Sequence, residues 1–199
     1  MGFSPGLYET FIDPTGRPYR ESEVLGTYKN SVGAKSMGLK TPKLLEFARN
    51  YYNCKSISII PLENDGDAGS AGAHFERAVF FNEVMTASTI KDQVFSGFGF
   101  SLLRDSGWYG VNEKFFEDFQ AGKGMGCDWF KSCHAKQNKQ MFCYKDGEMG
   151  CNWDYTAVGM CDPFFLQADD CSMIQPYENF YCNVDDHSQQ TQQLKEVLK

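Results

Sequence analysis

His74 is the residue whose type and surroundings could support metal chemistry, in the stretch GSAGAHFERAVFFNEVMTAS at residues 69–88. An imidazole nitrogen can bind zinc, and Met85 follows in the same stretch. One imidazole does not make a metal site, because zinc is held by three or four protein ligands. Considered alone, His74 is therefore expected to be a hydrogen-bonded residue in a turn, and Met85 a residue that fills the core.

The two other histidines give weaker signals. His134 follows Cys133, a pair that could supply a thiol nucleophile and its base. In a chain with many neighbouring cysteines, however, Cys133 is better explained as half of a disulfide. His187 stands in a polar stretch near the end of the sequence and is expected to be solvated.

The cysteines are concentrated in the last third of the chain. Seven of the eight lie from Cys127 to Cys182, at irregular spacings and without a C-x-x-C pair. Structural zinc sites use cysteines two to four residues apart, so that both thiolates reach one ion. The spacing therefore favours disulfides over structural zinc, and disulfides indicate an oxidising compartment.

Charge and hydropathy exclude two classes of partner for the sequence as it stands. The formal net charge is -7, and no cluster of lysine and arginine forms the basic face that nucleic-acid binding needs. No apolar run of about 18 residues and no signal-peptide core occur. The sequence thus predicts no nucleic-acid partner and, within these residues, neither a membrane span nor a secretion signal. The missing signal conflicts with the oxidising compartment that the cysteines indicate.

The elements that must position His74 begin with a region rich in glycine and proline. Residues 1–40 are predicted to be long ordered loops with short apolar pieces between turns. A helix is predicted from Thr41-Pro42 to Asn53-Cys54, because proline favours the first helical turn. Its apolar face at helical spacing consists of Leu44, Leu45, Ala48, Tyr51 and Tyr52.

Two further elements flank the stretch that contains His74. Residues 56–62, SISIIPL, are short and β-branched, which predicts a strand that stops at the proline. A second helix is predicted from Thr89 to Asp105, with an apolar face and two glycines that permit close packing. Periodicity then fades and cysteines take over, so a boundary is predicted near residue 120.

Five segments of the chain, in this order, carry a resemblance to a known family. They are MGFSPGLYETFID at 1–13, TPKLLEFARNYYNC at 41–54, GSAGAHFERAVFFNEVMTAS at 69–88, FSLLRDSGWYGVN at 100–112 and GKGMGCDWFKSC at 122–133. Together they resemble the leishmanolysin family of zinc metallopeptidases, and specifically the C-terminal half of its members. The resemblance covers about residues 1–135.

The resemblance implies roles for three residues. In that family, as in other metzincins, a helix bearing H-E-x-x-H-x-x-G supplies two zinc histidines and a general-base glutamate. By resemblance, Gly2 matches the glycine of that motif, His74 the third zinc ligand, and Met85 the methionine of a turn beneath the metal. The implied fold is α+β: the C-terminal part of a metzincin catalytic domain, residues 1–120, followed by a cysteine-rich module, residues 121–199.

The H-E-x-x-H motif itself is absent from this sequence. Because Gly2 matches the glycine of the motif, we expect the two histidines and the glutamate to be encoded in frame just upstream of Met1. Further upstream we expect the rest of the catalytic domain and a signal peptide. Glu76 and Glu83 are nearby carboxylates, but no spacing places either opposite a metal-bound water, so neither is assigned as general base.

The resemblance also bears on the first cysteine. Cys54 is the only cysteine in the first region, and Cys127 is the nearest one in sequence. The family places an equivalent bridge between these two segments. A disulfide between Cys54 and Cys127 is therefore expected.

The function implied by the resemblance is hydrolysis of peptide bonds in protein or peptide substrates by zinc-activated water. It would take place at the cell surface or outside the cell, with one Zn²⁺ in the full-length protein. Membrane association would come through segments outside this sequence. The alternatives are a non-catalytic cysteine-rich surface or adhesion module and a degenerate, inactive paralogue. Alone, the 199-residue chain is expected to be inactive.

Overall fold

The computed structural model describes residues 3–30, 33–67, 69–88, 93–130, 133, 141–162, 169 and 171–181. The α-helices described are α1 (Pro5–Tyr8), α2 (Glu21–Val24), α3 (Pro42–Tyr51), α4 (Arg77–Phe80) and α5 (Gly97–Asp105). The strands described are β1 (Leu25–Lys29), β2 (Lys35–Leu39), β3 (Ile60–Pro61), β4 (Met149–Cys151), β5 (Ala157–Asp162) and β6 (Met173–Tyr181). Helices and antiparallel sheets together confirm the α+β class.

The first sheet has the order β1-β2-β3 and is antiparallel throughout. The prediction of loops over residues 1–40 is wrong here, because β1 and β2 form a hairpin inside that region. Gly26 and Gly38 lie opposite each other in the hairpin, and Gly38 also pairs with Pro61 of β3. These two glycines suggested turns in the sequence, but they are strand residues that pair with each other.

β3 is much shorter than the strand predicted over residues 56–62. Only Ile60 and Pro61 pair with β2. Pro61 has no N–H to donate, which limits the ladder at this edge. Leu62 continues the direction of the strand, since its N–H donates to the Met37 carbonyl at 3.1 Å and it bridges to Phe75.

α3 matches the predicted helix closely. Its buried face consists of Leu44, Leu45 and Ala48. Its N-terminus is capped from outside, because the N–H groups of Lys43 and Leu44 donate to the Asp105 carboxylate at 3.1 and 2.9 Å. Past its end, Asn53 has a φ of 54°, a left-handed conformation that turns the chain away.

α5 begins eight residues later than predicted, at Gly97 instead of Thr89. Ser96 is its N-cap, and the Ser96 hydroxyl accepts a hydrogen bond from the Phe98 N–H at 3.2 Å. Val94 does not belong to the helix, because it forms a parallel bridge with Glu83. Residues 89–92 lie outside the described part of the chain. The apolar residues that suggested one longer helix therefore belong to two structures: Val94 lies in the bridge, and Phe98 and Leu102 lie in α5.

Phe98 on α5 is the centre of an aromatic core. It is fully buried. Five ring centroids lie 4.8–5.8 Å from its own, those of Phe47, Tyr51, Tyr52, Phe80 and Phe119. The same hydrophobic cluster continues into the cysteine-rich part through Trp129 and Met173. The boundary between residues 120 and 121 stays a prediction.

The second sheet has the order β4-β5-β6 and is antiparallel. Three disulfides are described: Cys54–Cys127, Cys133–Cys171 and Cys143–Cys161. Six of the seven cysteines in the described ranges form these disulfides, as the spacing predicted, and the first bridge is the pairing that the resemblance implied. Cys151 is exposed, and Cys182 lies outside the described residues. Within the described ranges, the helices are too short or too polar to cross a membrane.

Gly122 and Gly126 offer a matched test of packing between α3 and the cysteine-rich part. Both have positive φ, 69° and 79°. A Cβ on Gly122 would lie 2.4 Å from the Trp129 ring, whereas one on Gly126 would meet nothing within 4 Å. We expect Gly126→Ala to lower the free energy of unfolding by about 1–2 kcal/mol through backbone strain. Gly122→Ala should lose a further 1–3 kcal/mol or so through overpacking. Equal losses in urea unfolding would contradict this account.

Candidate metal centre

The backbone around His74 is fixed to the strand that precedes it. The His74 carbonyl accepts from the Glu63 N–H at 2.9 Å, and the Glu63 carbonyl accepts from the Gly72 N–H at 2.8 Å. Phe75 bridges to Leu62 and is fully buried. Because both neighbours of the histidine are tied down, the direction in which its side chain leaves the backbone is set by the fold.

The His74 ring is half-buried and oriented by a backbone carbonyl. Its Nδ1 lies 3.3 Å from the Ser70 carbonyl oxygen. This contact favours the tautomer in which Nδ1 carries the proton and Nε2 keeps its lone pair. A histidine that binds a metal through one nitrogen characteristically donates from the other to a carbonyl or carboxylate. The ring therefore fits one zinc ligand that binds through Nε2.

Met85 is hydrogen-bonded to Phe75, the residue that follows His74. The Phe75 N–H donates to the Met85 carbonyl at 2.8 Å, and Phe75 also bridges to Thr86. We call residues 82–86 the methionine turn. Its other side is held by Val94, whose carbonyl accepts from the Val84 N–H at 3.0 Å. The fold thus brings two of the predicted site residues together in adjacent strand-like segments.

Glu83 in the methionine turn is completely buried. Its carboxylate accepts hydrogen bonds from the Met85 N–H and from the Ser96 hydroxyl, the latter at 2.9 Å. Burial raises the pKa of Glu83 to about 7, and hydrogen bonds from Met85, Ser96 and Gly99 act in the opposite direction. The sequence analysis did not predict that Glu83 is buried and bonded to Met85. The available signal was a glutamate inside the apolar run AVFFNEVM.

Glu76, two residues after His74, also has a structural role. It is buried, caps α4 by accepting from the Ala78 N–H at 3.0 Å, and accepts from the Asn64 side chain at 3.2 Å. Burial, and next the charges of Glu63 and Asp169, raise the pKa of Glu76 well above its usual value. The carboxylates of Glu76 and Glu83 are therefore both engaged with backbone and side-chain donors.

An apolar cleft adjoins the methionine turn. Its apolar lining consists of Phe3, Val84, Met85, Phe95, Phe100 and Leu103, and Glu83, Ser96 and Gly99 complete its wall. Phe95 on its rim is 47% exposed, so the cleft opens to solvent beside a large apolar side chain.

Over the ranges that the structure describes, no three side chains of His, Cys, Asp or Glu gather where they could hold a metal. His74 accordingly has no pair of candidate ligands beside it within these ranges. Gly2, His134 and His187 lie outside the described residues. The residues present fit a share of a metal site, one imidazole in a segment that is hydrogen-bonded to the methionine turn, and a complete site needs further ligands.

Comparison with known proteins identifies the class to which this fold and partial site belong. The family model for leishmanolysin, a peptidase, matches residues 19–168. That range includes His74, the methionine turn and the first two disulfide partners, Cys54 and Cys127. The chain belongs to the leishmanolysin family of metallopeptidases.

Individual relatives agree at modest identity. The chain is 28% identical to a leishmanolysin-like peptidase of Drosophila pseudoobscura pseudoobscura over 90% of its own length and 32% of the relative's. It is 30% identical to a leishmanolysin-like peptidase of Caenorhabditis briggsae over 67% of its length and 24% of the relative's. Leishmanolysin of Leishmania tropica is 24% identical over 69% of the chain and 25% of that protein. The chain spans a third or less of the length of these relatives.

Proposed function

We propose that this chain is the C-terminal part of a zinc metalloendopeptidase that hydrolyses peptide bonds. The observation that carries the proposal is the placement of His74 directly beside the methionine turn by the hydrogen bond from Phe75 to Met85. Family membership supplies the reaction class, and the parent protein supplies the two remaining histidines and the general base. When bound, zinc polarises a peptide carbonyl and lowers the pKa of a water molecule.

The chain's own residues contribute orientation. His74 presents Nε2 because Nδ1 faces the Ser70 carbonyl, and Met85 packs against the hydrophobic core. The apolar cleft beside Met85 opens to solvent and offers a surface to an apolar substrate side chain. These features suit protein or peptide substrates.

We further propose that the parent protein acts at the cell surface or outside the cell. Three disulfides support an oxidising compartment, since thiols in the cytosol are kept reduced. Membrane association, where it occurs, comes through segments outside these residues.

The isolated 199-residue chain is expected to be proteolytically silent and to bind zinc weakly. One imidazole provides a single bond where a stable site has three or four, and the chain supplies no general base. The measurement is cleavage of casein by the refolded chain and by the full-length protein, each with and without a zinc chelator. We expect chelator-sensitive cleavage by the full-length protein and none by the short chain.

Two results would overturn the proposal. Chelator-sensitive cleavage by the short chain that is lost in His74→Ala would show that the site is complete within it. A full-length protein without zinc and without cleavage would favour the non-catalytic cysteine-rich surface module or the inactive paralogue.

A further inference from the structure

Glu83 has a buried carboxylate, and no cation is described beside it. Other groups must therefore stabilise this carboxylate. Its side chain is wholly removed from water and accepts from the Met85 N–H and the Ser96 hydroxyl. A Cβ on Gly99 would lie 3.0 Å from the Glu83 Oε1, so a glycine in the first turn of α5 lets the carboxylate approach the helix. A carboxylate in this position is stabilised by the free N–H groups and the dipole at the N-terminus of a helix.

These contacts form a continuous connection from α5 to His74. Ser96 caps α5 and donates to Glu83; Glu83 holds the Met85 N–H. The Met85 carbonyl in turn accepts from the N–H of Phe75, the residue after His74. The Met85 N–H and the Met85 carbonyl are therefore both occupied, the first by the Glu83 carboxylate and the second by the Phe75 N–H.

The geometry points to Glu83 as a positioning residue of the metal centre. Glu83 anchors Met85 to the N-terminus of α5 and so fixes the position of the methionine turn beside the His74 segment. This inference rests on the proposed function. Glu83 touches neither substrate nor metal in this role. It acts through Met85 and Phe75, much as an outer-shell partner fixes a ligand that it does not replace.

Asp105 provides a matched control at the other end of the same helix. It is also a buried carboxylate, 6% exposed, and it accepts two backbone N–H groups at the N-terminus of α3. Asp105 makes no described contact with the methionine turn. Asp105→Asn and Glu83→Gln therefore remove the same charge from equivalent helix caps, and only the second is expected to disturb the metal centre.

The experiment uses the full-length enzyme with Glu83→Gln or Asp105→Asn. The apparent zinc dissociation constant is measured by competition with a chelator, and kcat and KM with a fluorogenic peptide. For Glu83→Gln we expect the zinc dissociation constant to rise about tenfold and kcat to fall about tenfold, the usual scale for an outer-shell partner. KM should stay unchanged. Asp105→Asn should lower the melting temperature and leave zinc affinity and kcat as in the wild type.

The outcomes separate this inference from the proposed function. If both variants change zinc affinity equally, or neither does, Glu83 is only a structural residue and the inference is wrong. If Glu83→Gln fails to fold, Ser96→Ala decides, because it removes one donor to the carboxylate: weakened zinc binding supports the role, and wild-type binding overturns it. A wild-type protein that binds no zinc would overturn the proposed function together with this inference.

Discussion

Replacing His74 with alanine should abolish chelator-sensitive peptidase activity in the full-length protein. The side chain is proposed as one of three zinc ligands, and its ring is already oriented by the Ser70 carbonyl. Loss of a direct ligand should exceed the roughly 10–100-fold effect that follows loss of an outer-shell partner. The expected result is a fall in kcat/KM of more than about 100-fold with a matching fall in bound zinc.

The control for this prediction is a second histidine of the same chain. His187→Ala removes an imidazole from the polar C-terminal stretch and should leave zinc content and kcat/KM unchanged. A His74→Ala protein that retains stoichiometric zinc and wild-type activity would return His74 to the role of a hydrogen-bonded turn residue. Far-ultraviolet circular dichroism of both variants establishes that the comparison is made between folded proteins.

The largest expected effect on stability concerns the bridge from Cys54 to Cys127, which closes a loop over a sequence separation of 73. In the chain-entropy description, a cross-link of this span contributes about 4 kcal/mol, because it restricts the unfolded chain. The double variant Cys54→Ser with Cys127→Ser should lose about that much free energy of unfolding. Urea unfolding followed by tryptophan fluorescence is suitable, since Trp129 is buried within the segment that the bridge holds.

The Cys143–Cys161 bridge supplies the comparison, with a sequence separation of 18. The corresponding pair of serines should lose about 3 kcal/mol on the same description. The prediction therefore also ranks the two losses: removing the longer bridge should cost more free energy of unfolding than removing the shorter one. A larger loss for the short bridge than for the long one would mean that strain or residual structure in the unfolded chain outweighs loop closure.

Local signals in the sequence predicted some elements and obscured others. α3 was predictable because Pro42 marks its first turn and its apolar residues recur at helical spacing. The β1–β2 hairpin was not, because Gly26 and Gly38 have the composition of turns and their pairing exists only once the strands meet. α5 was predicted eight residues too early, since Val94 has an apolar side chain that suits a helix face as well as the bridge it forms with Glu83.

The candidate site divides in the same way. His74 and Met85 were found through resemblance, because neither residue type is distinctive by itself. The contact between their segments depends on the Phe75 hydrogen bond, which brings together residues separated by α4 and a turn. The environment of Glu83 was harder still to predict, because two of its donors, Ser96 and Gly99, lie beyond the methionine turn. Hydropathy alone marks a glutamate in an apolar run as unfavourable and cannot reveal what compensates it.

The long Cys54–Cys127 bridge also imposes an order on events during synthesis. No cysteine lies between its two ends, which are separated by 73 in sequence. A ribosome that adds about 5–20 residues per second spends roughly 4–15 s on that span. Throughout this interval α3, the first sheet and the His74 segment leave the ribosome before the partner that Cys54 has in the folded chain exists. The covalent link between the end of α3 and the cysteine-rich part is thus added late, after the whole His74 segment has been translated.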